Sequence, residues 1–381
     1  MQQGGPGHGG LHSGKMDISD KLPPRLKVAV KRGAAKRGRQ KPPEGEAAQG
    51  RPFHHLPDGT FRNPKGSPKR SMGRLKHAGP FFYEMLKIGM RKVDVPEGHV
   101  LPRAEAVRSL GEHAAEPGDF LTWLGHAAFL IRIGGLNVLT DPYLTSYAGP
   151  AGLGPRRFVK CGIPMSALPR IDLLVVSHNH YDHLDERALA RLPDKAHMTV
   201  VVPLRLASFF HERGFPNVVE LDWHESHKVK GVTVTALPVV HWSRRSGFDT
   251  NRTLWAGFAL RSKDHNLFFG GDSGYGPVFK ELGAQYGPFD TALLGIGAYE
   301  PRVMMKASHA NPEEAVQMGL DLRARRLVGM HWGTVLLTVE PPFEPPERFL
   351  KAGAEQGIAP NDLWIMAIGE TRPLKGWPSN E

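Results

Sequence analysis

The sequence has very little cysteine and no long apolar run, and each absence excludes a class of protein. Cys161 is the only cysteine among 381 residues, which excludes an internal disulfide and a cysteine-rich zinc finger. No apolar run approaches the roughly 20 residues that a membrane-spanning helix needs. The N-terminus also lacks the apolar segment of a signal peptide. We therefore predict a cytoplasmic protein, with a peripheral position on the inner membrane surface as an option.

Basic charge is concentrated at one end of the chain. The net charge is +11, of which residues 1–100 carry +12 and the remainder −1. A basic arm of this kind can bind anionic lipid or nucleic acid. Residues 1–50 are nevertheless rich in Gly, Pro, Lys and Arg without a hydrophobic period. We therefore predict that they form a disordered, solvated basic tail.

Residues 51–115 are predicted to form an N-terminal arm with an amphipathic helix. For His54 and His55 at its start we favour a surface or wrapping role over metal binding. Apolar residues then recur at helical spacing, namely Phe81, Phe82, Met85, Leu86 and Gly89. Such a helix with nearby basic residues can lie on a membrane. Packing against the main domain is the expectation, because most apolar stripes face a core.

A short polar stretch directly after a buried strand carries the main chemical signal. The apolar run 171–176 predicts the strand, and the next residues read Ser-His-Asn-His-Tyr-Asp-His. His178 and His180 point the same way on an extended segment, whereas Asp182 and His183 follow as the chain turns. Imidazole and carboxylate are good ligands for zinc. The pattern therefore predicts a site for two metal ions rather than an ordinary solvated loop.

Three further candidate ligands also come directly after predicted strands. They are His241, Asp272 and His331. In the simplest assignment, one ion is bound by His178, His180 and His241. The other ion is bound by Asp182, His183 and His331, and Asp272 bridges the two ions. Each ion then keeps room for a shared hydroxide, which is the open position of a catalytic site.

From residue 120 onwards the pattern predicts short strands and helices in alternation. The sequence Asn-Pro-Glu-Glu at 311–314 is typical of a helix start. This helix is predicted to run to about Arg325, ahead of a strand at 327–330. A helix near 346–356 and a strand at 363–368 complete the predicted order.

The ligand pattern with its later His, Asp and His resembles the metallo-β-lactamase fold superfamily. Asp141 lies in a Leu-Thr-Asp-Pro stretch that matches its first motif, whose aspartate usually supports the metal ligands from behind. The resemblance sharpens towards N-acylphosphatidylethanolamine-hydrolysing phospholipase D over about residues 56–348, in the stretches 123–127, 177–185, 241–242, 251–257, 271–275, 287–290, 296–302, 311–315 and 331–334. It implies an α/β fold over residues 116–381, an αββα four-layer sandwich with a binuclear metal site at one edge of its two sheets.

The resemblance also implies a chemistry. The expected enzyme is a zinc-dependent phosphodiester hydrolase with two Zn²⁺ per chain. It would release N-acylethanolamine and phosphatidic acid from a phospholipid at a membrane surface, by attack of a metal-bridging hydroxide. Asp182 would orient the hydroxide and His309 would hydrogen-bond the phosphate, unless His309 only satisfies its loop. His126, Tyr299 and Arg302 are expected to support the site or contact the substrate. A homodimer is compatible with this prediction.

Three alternatives stay open at this point. The first is a hydrolase of a soluble ester or lactone, similar to the sugar-phosphate lactonases, and an apolar surface near the metals would argue against it. The second is a nuclease, which the basic arm suggests, although we find no dedicated nucleic-acid-binding module. The third is a structural zinc domain, but structural sites are closed and mostly ligated by cysteine.

Overall fold

Two mixed β-sheets form the centre of the protein, with helices on their outer faces. The computed structural model describes Met1 and residues 52–69, 74–89 and 92–374. The strands are β1 (Phe120–Gly125), β2 (Ala128–Ile133), β3 (Leu136–Thr140), β4 (Leu173–Val175), β5 (Thr199–Pro203), β6 (Asn217–Leu221), β7 (Ser226–Val229), β8 (Val232–Leu237), β9 (Gly257–Arg261), β10 (Asn266–Phe269), β11 (Phe289–Gly295), β12 (Ala324–Met330), β13 (Leu363–Trp364) and β14 (Thr371–Pro373).

The helices differ widely in length. They are α1 (Arg74–Gly89), α2 (Arg103–Ala115), α3 (Glu186–Arg191), α4 (Ala207–His211), α5 (Val278–Gln285), α6 (Arg302–Met305), α7 (Pro312–Asp321) and α8 (Glu344–Glu355). Within the described ranges, every helix is too short or too polar to cross a bilayer. The predicted tail at 1–50 lies outside the described residues except for Met1. The boundaries proposed for the arm and the main domain stay predictions.

Strand order places several strand ends at one edge of each sheet. The first sheet has the order β14-β1-β2-β3-β4-β5-β6 and the second has the order β13-β12-β11-β10-β9-β8-β7. In the first sheet β1, β3 and β4 run in the same direction. In the second sheet β8, β10, β11 and β12 do so as well. Loops that follow these strands therefore gather at a common edge.

Backbone hydrogen bonds join these two edges. The Ala256 amide donates to the Ser177 carbonyl at 3.0 Å, and the His331 amide donates to the His126 carbonyl at 3.0 Å. His126 and His331 both adopt positive φ, at 58° and 64°, a conformation that few L-residues adopt. The strained backbone lies where the two sheets meet, which is a common position for a functional site.

The first sheet is buried on both faces, which explains its apolar strands. Leu173 and Val175 belong to the core cluster between the sheets. Leu174 and Val176 belong to a second cluster with Leu110 of α2 and the helices after β4 and β5. Because successive strand residues point to opposite faces, a strand covered on both sides reads as a continuous apolar run. The predicted sandwich of two sheets with flanking helices is confirmed.

Helix α1 differs from its expectation. Its apolar stripe was predicted to pack against the main domain. Met85 and Ile88 are half-buried, but Phe82, Tyr83 and Leu86 keep 60–68% of their surface exposed. The helix therefore presents apolar side chains outward as well as inward.

The boundaries near the C-terminus also differ. Helix α7 ends at Asp321 and β12 begins at Ala324, so the expectation of a helix to about Arg325 is wrong. The strand expected at 363–368 stops at Trp364. Edge strands and the ends of helices depend on tertiary contacts more than on local sequence.

Candidate metal centre

The first predicted ligand group converges at the edge between the sheets. His178 follows β4 and His241 follows β8. Nε2 of His178 faces Nδ1 of His180 at 2.8 Å, and Nε2 of His241 lies 3.2 Å from the same Nδ1. Oδ2 of Asp272 lies 3.9 Å from His178 Nε2 and 3.7 Å from His241 Nε2. Three ring nitrogens and one carboxylate thus surround a single point, as the ligands of one ion do.

The second predicted group lies beside the first. Oδ2 of Asp182 is 3.5 Å from His183 Nε2 and 3.7 Å from His331 Nε2. His126, which was expected only to support the site or contact substrate, lies inside this group. Its Nε2 is 2.9 Å from the same Oδ2 of Asp182. It can either hydrogen-bond that aspartate or serve as a ligand.

Asp272 contacts both groups. Besides its approach to the first group, its Oδ2 lies 3.0 Å from His183 Nε2 and its Oδ1 lies 3.1 Å from His331 Nε2. Its side chain is almost fully buried. A carboxylate in this position can bridge two ions, which is the role predicted for it.

Asp141 holds two residues of the motif from behind. Its Oδ1 accepts a hydrogen bond from the Ser177 amide at 2.7 Å, and its Oδ2 accepts from Ser177 Oγ and His183 Nδ1, both at 2.6 Å. Because His183 donates through Nδ1, its Nε2 carries no proton when the ring is neutral. That nitrogen is then free to bind a cation.

Burial keeps the three histidines of the first ligand group neutral. It lowers the pKa of His178 and His241 well below the ordinary value and lowers the pKa of His180 to about 4. Neutral imidazole is the form that binds metals. These rings are therefore ready for coordination at neutral pH.

The second group carries buried negative charge. Burial alone would raise the pKa of Asp182 and Asp272, but His183 holds both well below the usual range. Burial alone would lower the pKa of His331, but Asp272 and Asp182 raise it to about 9. The two ionised carboxylates therefore favour the protonated, positively charged form of the neighbouring histidine. A buried cluster with two ionised carboxylates and Asp141 beneath them calls for cations.

Unpaired polar atoms test whether metals fit this site. Among the described residues, His180 Nε2, His183 Nε2, His331 Nε2 and Asp272 Oδ1 are buried and make no hydrogen bond. Buried polar atoms are rarely left without partners. A donor set of histidine and carboxylate suits zinc and similar divalent ions. The residues present therefore fit metal ions.

His309 lies at the side of the two groups. Its Nδ1 is 3.9 Å from Asp272 Oδ2, and its ring centre is 5.2 Å from that of His241. Burial lowers its pKa to about 4, so its ring is neutral at pH 7 and carries one N–H. The structure thus brings His309 to the site, with its side chain 16% exposed.

Arg302 and Tyr299 do not meet the metal ligands in the way expected of substrate contacts. Nη1 of Arg302 donates to the His309 carbonyl at 2.9 Å, and its Nη2 pairs with Glu314 at 2.6 Å. Tyr299 is fully buried and donates to Glu344 at 2.8 Å. Arg302 therefore fixes the backbone of His309, and Tyr299 anchors α8.

Two supporting residues were missed by the sequence analysis. Oδ1 of Asn63 accepts from the His241 amide at 2.9 Å and from Trp255 Nε1 at 3.1 Å. Nη1 of Arg245 donates to the carbonyls of Asn179 and Leu184 at 3.1 and 2.9 Å. Both act across long sequence separations, so no local pattern pointed to them.

An open groove borders the small pocket that contains His331. Leu336 lines both this groove and the small pocket that contains His331. The groove has a volume of about 1120 Å³. Its apolar lining comes from α1 and from segments near the site, namely Phe82, Met85, Leu86, Val93, Val95, Phe158 and Leu336.

Comparisons with known proteins agree with this geometry. Residues 136–332 match the model of the "Beta-lactamase superfamily domain". A Caenorhabditis elegans protein named N-acyl-phosphatidylethanolamine-hydrolyzing phospholipase D 1 is 39% identical over 247 residues, which are 61% of this chain and 69% of that protein. A Methanopyrus kandleri protein named as a metal-dependent hydrolase is 30% identical over 62% of this chain and 93% of its own length.

Solved structures and further relatives add two facts. The structure of a metallo hydrolase from Ignicoccus hospitalis gives a TM-score of 0.51 at 22% identity, covering 67% of this chain and 97% of the other, which shows the fold alone. Mycobacterial proteins of uncharacterised function are 39% identical, and the chain spans 65% of their length.

The fold and the ligand set define the class of metal-dependent hydrolases. The chain belongs to the beta-lactamase superfamily. The predicted superfamily and its metal-dependent hydrolase fold are thereby confirmed.

Proposed function

We propose that the protein is a zinc-dependent phosphodiesterase of the phospholipase D type, acting on N-acylphosphatidylethanolamine at a membrane surface. The observation that carries the proposal is the apolar groove that shares Leu336 with the pocket of His331. A soluble ester or lactone would leave most of this apolar lining uncovered, whereas the acyl chains of a lipid would cover it. The name of the nematode relative supports the same substrate.

Apolar and basic residues along the groove would bind different parts of a lipid. Phe82, Met85 and Leu86 of α1 would contact the acyl chains, because burial of apolar surface favours binding at about 25 cal/mol per Å². Arg156 and Lys92 on the groove wall carry the charge that attracts anionic headgroups. The phosphodiester would then lie towards Leu336, next to the metal centre.

One zinc ion would be held by His178, His180 and His241. The other would be held by Asp182, His183 and His331, and Asp272 would be shared by both. Two such ions supply Lewis-acid stabilisation of the phosphoryl oxygens and lower the pKa of a bound water. Asp182 would orient the attacking water, since its carboxylate lies among the ligands of the second group and keeps 14% of its surface exposed. His309 would donate its single N–H to the phosphate, and Arg302 would keep its backbone in place.

The experiment measures release of N-acylethanolamine from N-acylphosphatidylethanolamine vesicles by purified, zinc-loaded protein. Asp272→Ala should lower the rate by more than the roughly 10–100-fold that loss of a supporting residue costs. Asp264→Ala, at an exposed aspartate that precedes β10 whereas Asp272 follows it, serves as the matched control and should keep the wild-type rate.

No release from a chain that binds two zinc ions would reject the lipid substrate. Lactones and soluble phosphodiesters would then be measured on the same preparation. A second variant, Leu86→Asp, separates the roles of groove and metals. It should lower the rate on vesicles at least about tenfold and leave the rate on a short, water-soluble phosphodiester unchanged, because it removes apolar contact without touching the ligands.

A further inference from the structure

A second cluster of metal-ligand side chains lies away from the binuclear centre. It joins the strap, defined here as residues 52–69, to the end of β6. Nε2 of His54 is 2.6 Å from Asp222 Oδ1, and Nε2 of His55 is 2.7 Å from Asp222 Oδ2. Two consecutive histidines thus direct the same kind of nitrogen at a carboxylate some 170 positions further along the chain.

We propose that His54, His55 and Asp222 form a third metal site, one that takes a single zinc-like divalent ion. Their ligand atoms lie within 4.8 Å of one another. Two imidazoles and one carboxylate are a common donor set for zinc, which then completes its tetrahedral shell with water. The contacts of 2.6–2.7 Å are close to those between the ligand atoms of the binuclear centre, where His178 and His180 approach to 2.8 Å.

The backbone of the strap holds the two histidines in place before any ion binds. The Arg62 amide donates to the His54 carbonyl at 3.0 Å, and the Leu56 amide donates to the Thr60 carbonyl at 2.9 Å. Gly59 turns the chain between them at φ 78°. The resulting hairpin is pinned by Phe61, which is 1% exposed and part of the main core. A preorganised pair of ligands loses little entropy on binding.

The surroundings also favour a bound ion over exchange with solvent. The side chains of His54, His55 and Asp222 keep only 9, 23 and 15% of their surface exposed. The His54 ring stacks on Trp223 with 4.1 Å between ring centres. The His54 and His55 rings lie 4.5 Å apart at 73° to each other, so their nitrogens approach the carboxylate from two directions. His55 is the most exposed of the three, so water can complete the shell from its side.

The third ion would fasten the strap and thereby support the binuclear centre. The strap continues from the hairpin to Asn63, whose side-chain Oδ1 accepts from the amide of His241. Phe61 also donates its amide to the Asn251 carbonyl at 2.8 Å. An ion at Asp222 would therefore limit motion of the segment that positions a ligand of the main site.

The test is zinc stoichiometry by elemental analysis of the full chain after zinc loading and gel filtration. Wild type should hold three equivalents, and both His55→Gln and Asp222→Asn should hold two. His197→Gln, at an exposed histidine outside the cluster, should still hold three. Asp272→Ala should lose ions of the binuclear centre and keep the third, which separates this proposal from the proposed function.

Two further measurements keep the proposal falsifiable if a variant folds poorly. An anomalous difference map at the zinc edge should show a peak among His54, His55 and Asp222. Zinc added to metal-free wild type should slow hydrogen exchange at the Phe61 and Arg62 amides. Two equivalents in wild type, three in His55→Gln, or the lack of an anomalous peak among His54, His55 and Asp222 would each reject the site and leave a hydrogen-bonded clasp.

Discussion

Asp141 acts on the metal centre through its two hydrogen-bond partners, the candidate ligand His183 and Ser177, which precedes the candidate ligand His178. Its carboxylate is fully buried and accepts hydrogen bonds from Ser177 and His183. These bonds set which nitrogen of His183 faces the metal centre. The residue therefore offers a sharper test of the site than a ligand does, because its effect can travel only through orientation and charge.

We expect Asp141→Asn to weaken zinc binding at the binuclear centre by about 10–100-fold while the chain stays folded. An amide can replace only part of the acceptor capacity and adds a donor that faces His183. Zinc affinity is measured by competition with a chromogenic chelator. Asp264→Asn is the control at an exposed site. An affinity unchanged in Asp141→Asn would contradict this supporting role.

Residues that follow strands were predictable from the sequence, and residues that act across the fold were not. His241, Asp272 and His331 each come after an apolar run, and the structure brings them to one edge. Asn63 supports His241 from 178 positions away, and no period or motif marks it. Arg302 was expected to support the site or contact the substrate, and its guanidinium holds the His309 carbonyl and Glu314, a choice that only tertiary packing decides.

Helix α8 is fixed by a network of charges on its outward side. Arg348 donates to both carboxylate oxygens of Glu313 at 2.9 and 2.8 Å and to Glu344 at 3.0 Å. Hydrogen bonds from Tyr299 and Arg348 lower the pKa of Glu344. Burial alone would raise the pKa of Glu313, but Arg348 lowers it. The two depressed values link helix docking to pH.

Arg348→Met should therefore lower the free energy of unfolding by about 0.5–1 kcal/mol at pH 7. Both glutamates have a folded pKa below the ordinary value of 4.5. Their contribution is present above pH 4.5 and is lost as the pH falls through the folded values. Urea unfolding of metal-free protein at pH 7 and at progressively lower pH measures the difference.

The matched control is Lys351→Met, an exposed position on the same helix. Its effect on unfolding should be small and nearly independent of pH. A destabilisation by Arg348→Met that stays constant down to pH 3 would show that packing of the arginine stem, not its charge pairs, holds α8.

Elements with strong local signals were predicted, and elements held by their surroundings were missed. The Asn311 capping box gave the start of α7 correctly, since its side chain accepts from the Glu314 amide. The end of α7 at Asp321 is set by the approach of β12, which local sequence does not encode. Helix α2 was missed because Ala106 and Leu110 alone are buried along its length, so its apolar period is faint.

At the scale of the whole molecule, the metal centre links the two sheets, because each sheet supplies some of its ligands. Ligands after β4 belong to one sheet and ligands after β8, β10 and β12 belong to the other. An ion held from both sides binds the folded state and has no equivalent site in the unfolded chain. Its binding free energy therefore adds to the stability of the whole fold.

Removal of the ions should lower the melting temperature substantially. A ligand present at 1,000 times its dissociation constant adds about 4 kcal/mol to folding stability, which corresponds to roughly 6 °C for a unit the size of Pro52–Glu381. Differential scanning calorimetry with and without a chelator measures the shift. In Asp272→Ala the shift should be much smaller. If wild type melted at the same temperature with and without the chelator, the ions would not stabilise the fold by linking the two sheets.

The order of strands along the chain also has a consequence for how the metal centre comes into being. The strands β1 to β6 precede β7, and the short turn 222–225 follows β6, whereas β14 of the first sheet comes last in the chain. His178 and its neighbours lie before this turn, whereas His241, Asp272 and His331 lie after it. A backbone cut within the turn would leave two fragments, each with an incomplete set of ligands. Metal uptake by the binuclear centre would then report fragment complementation, because its set of ligands is complete only when the two fragments associate.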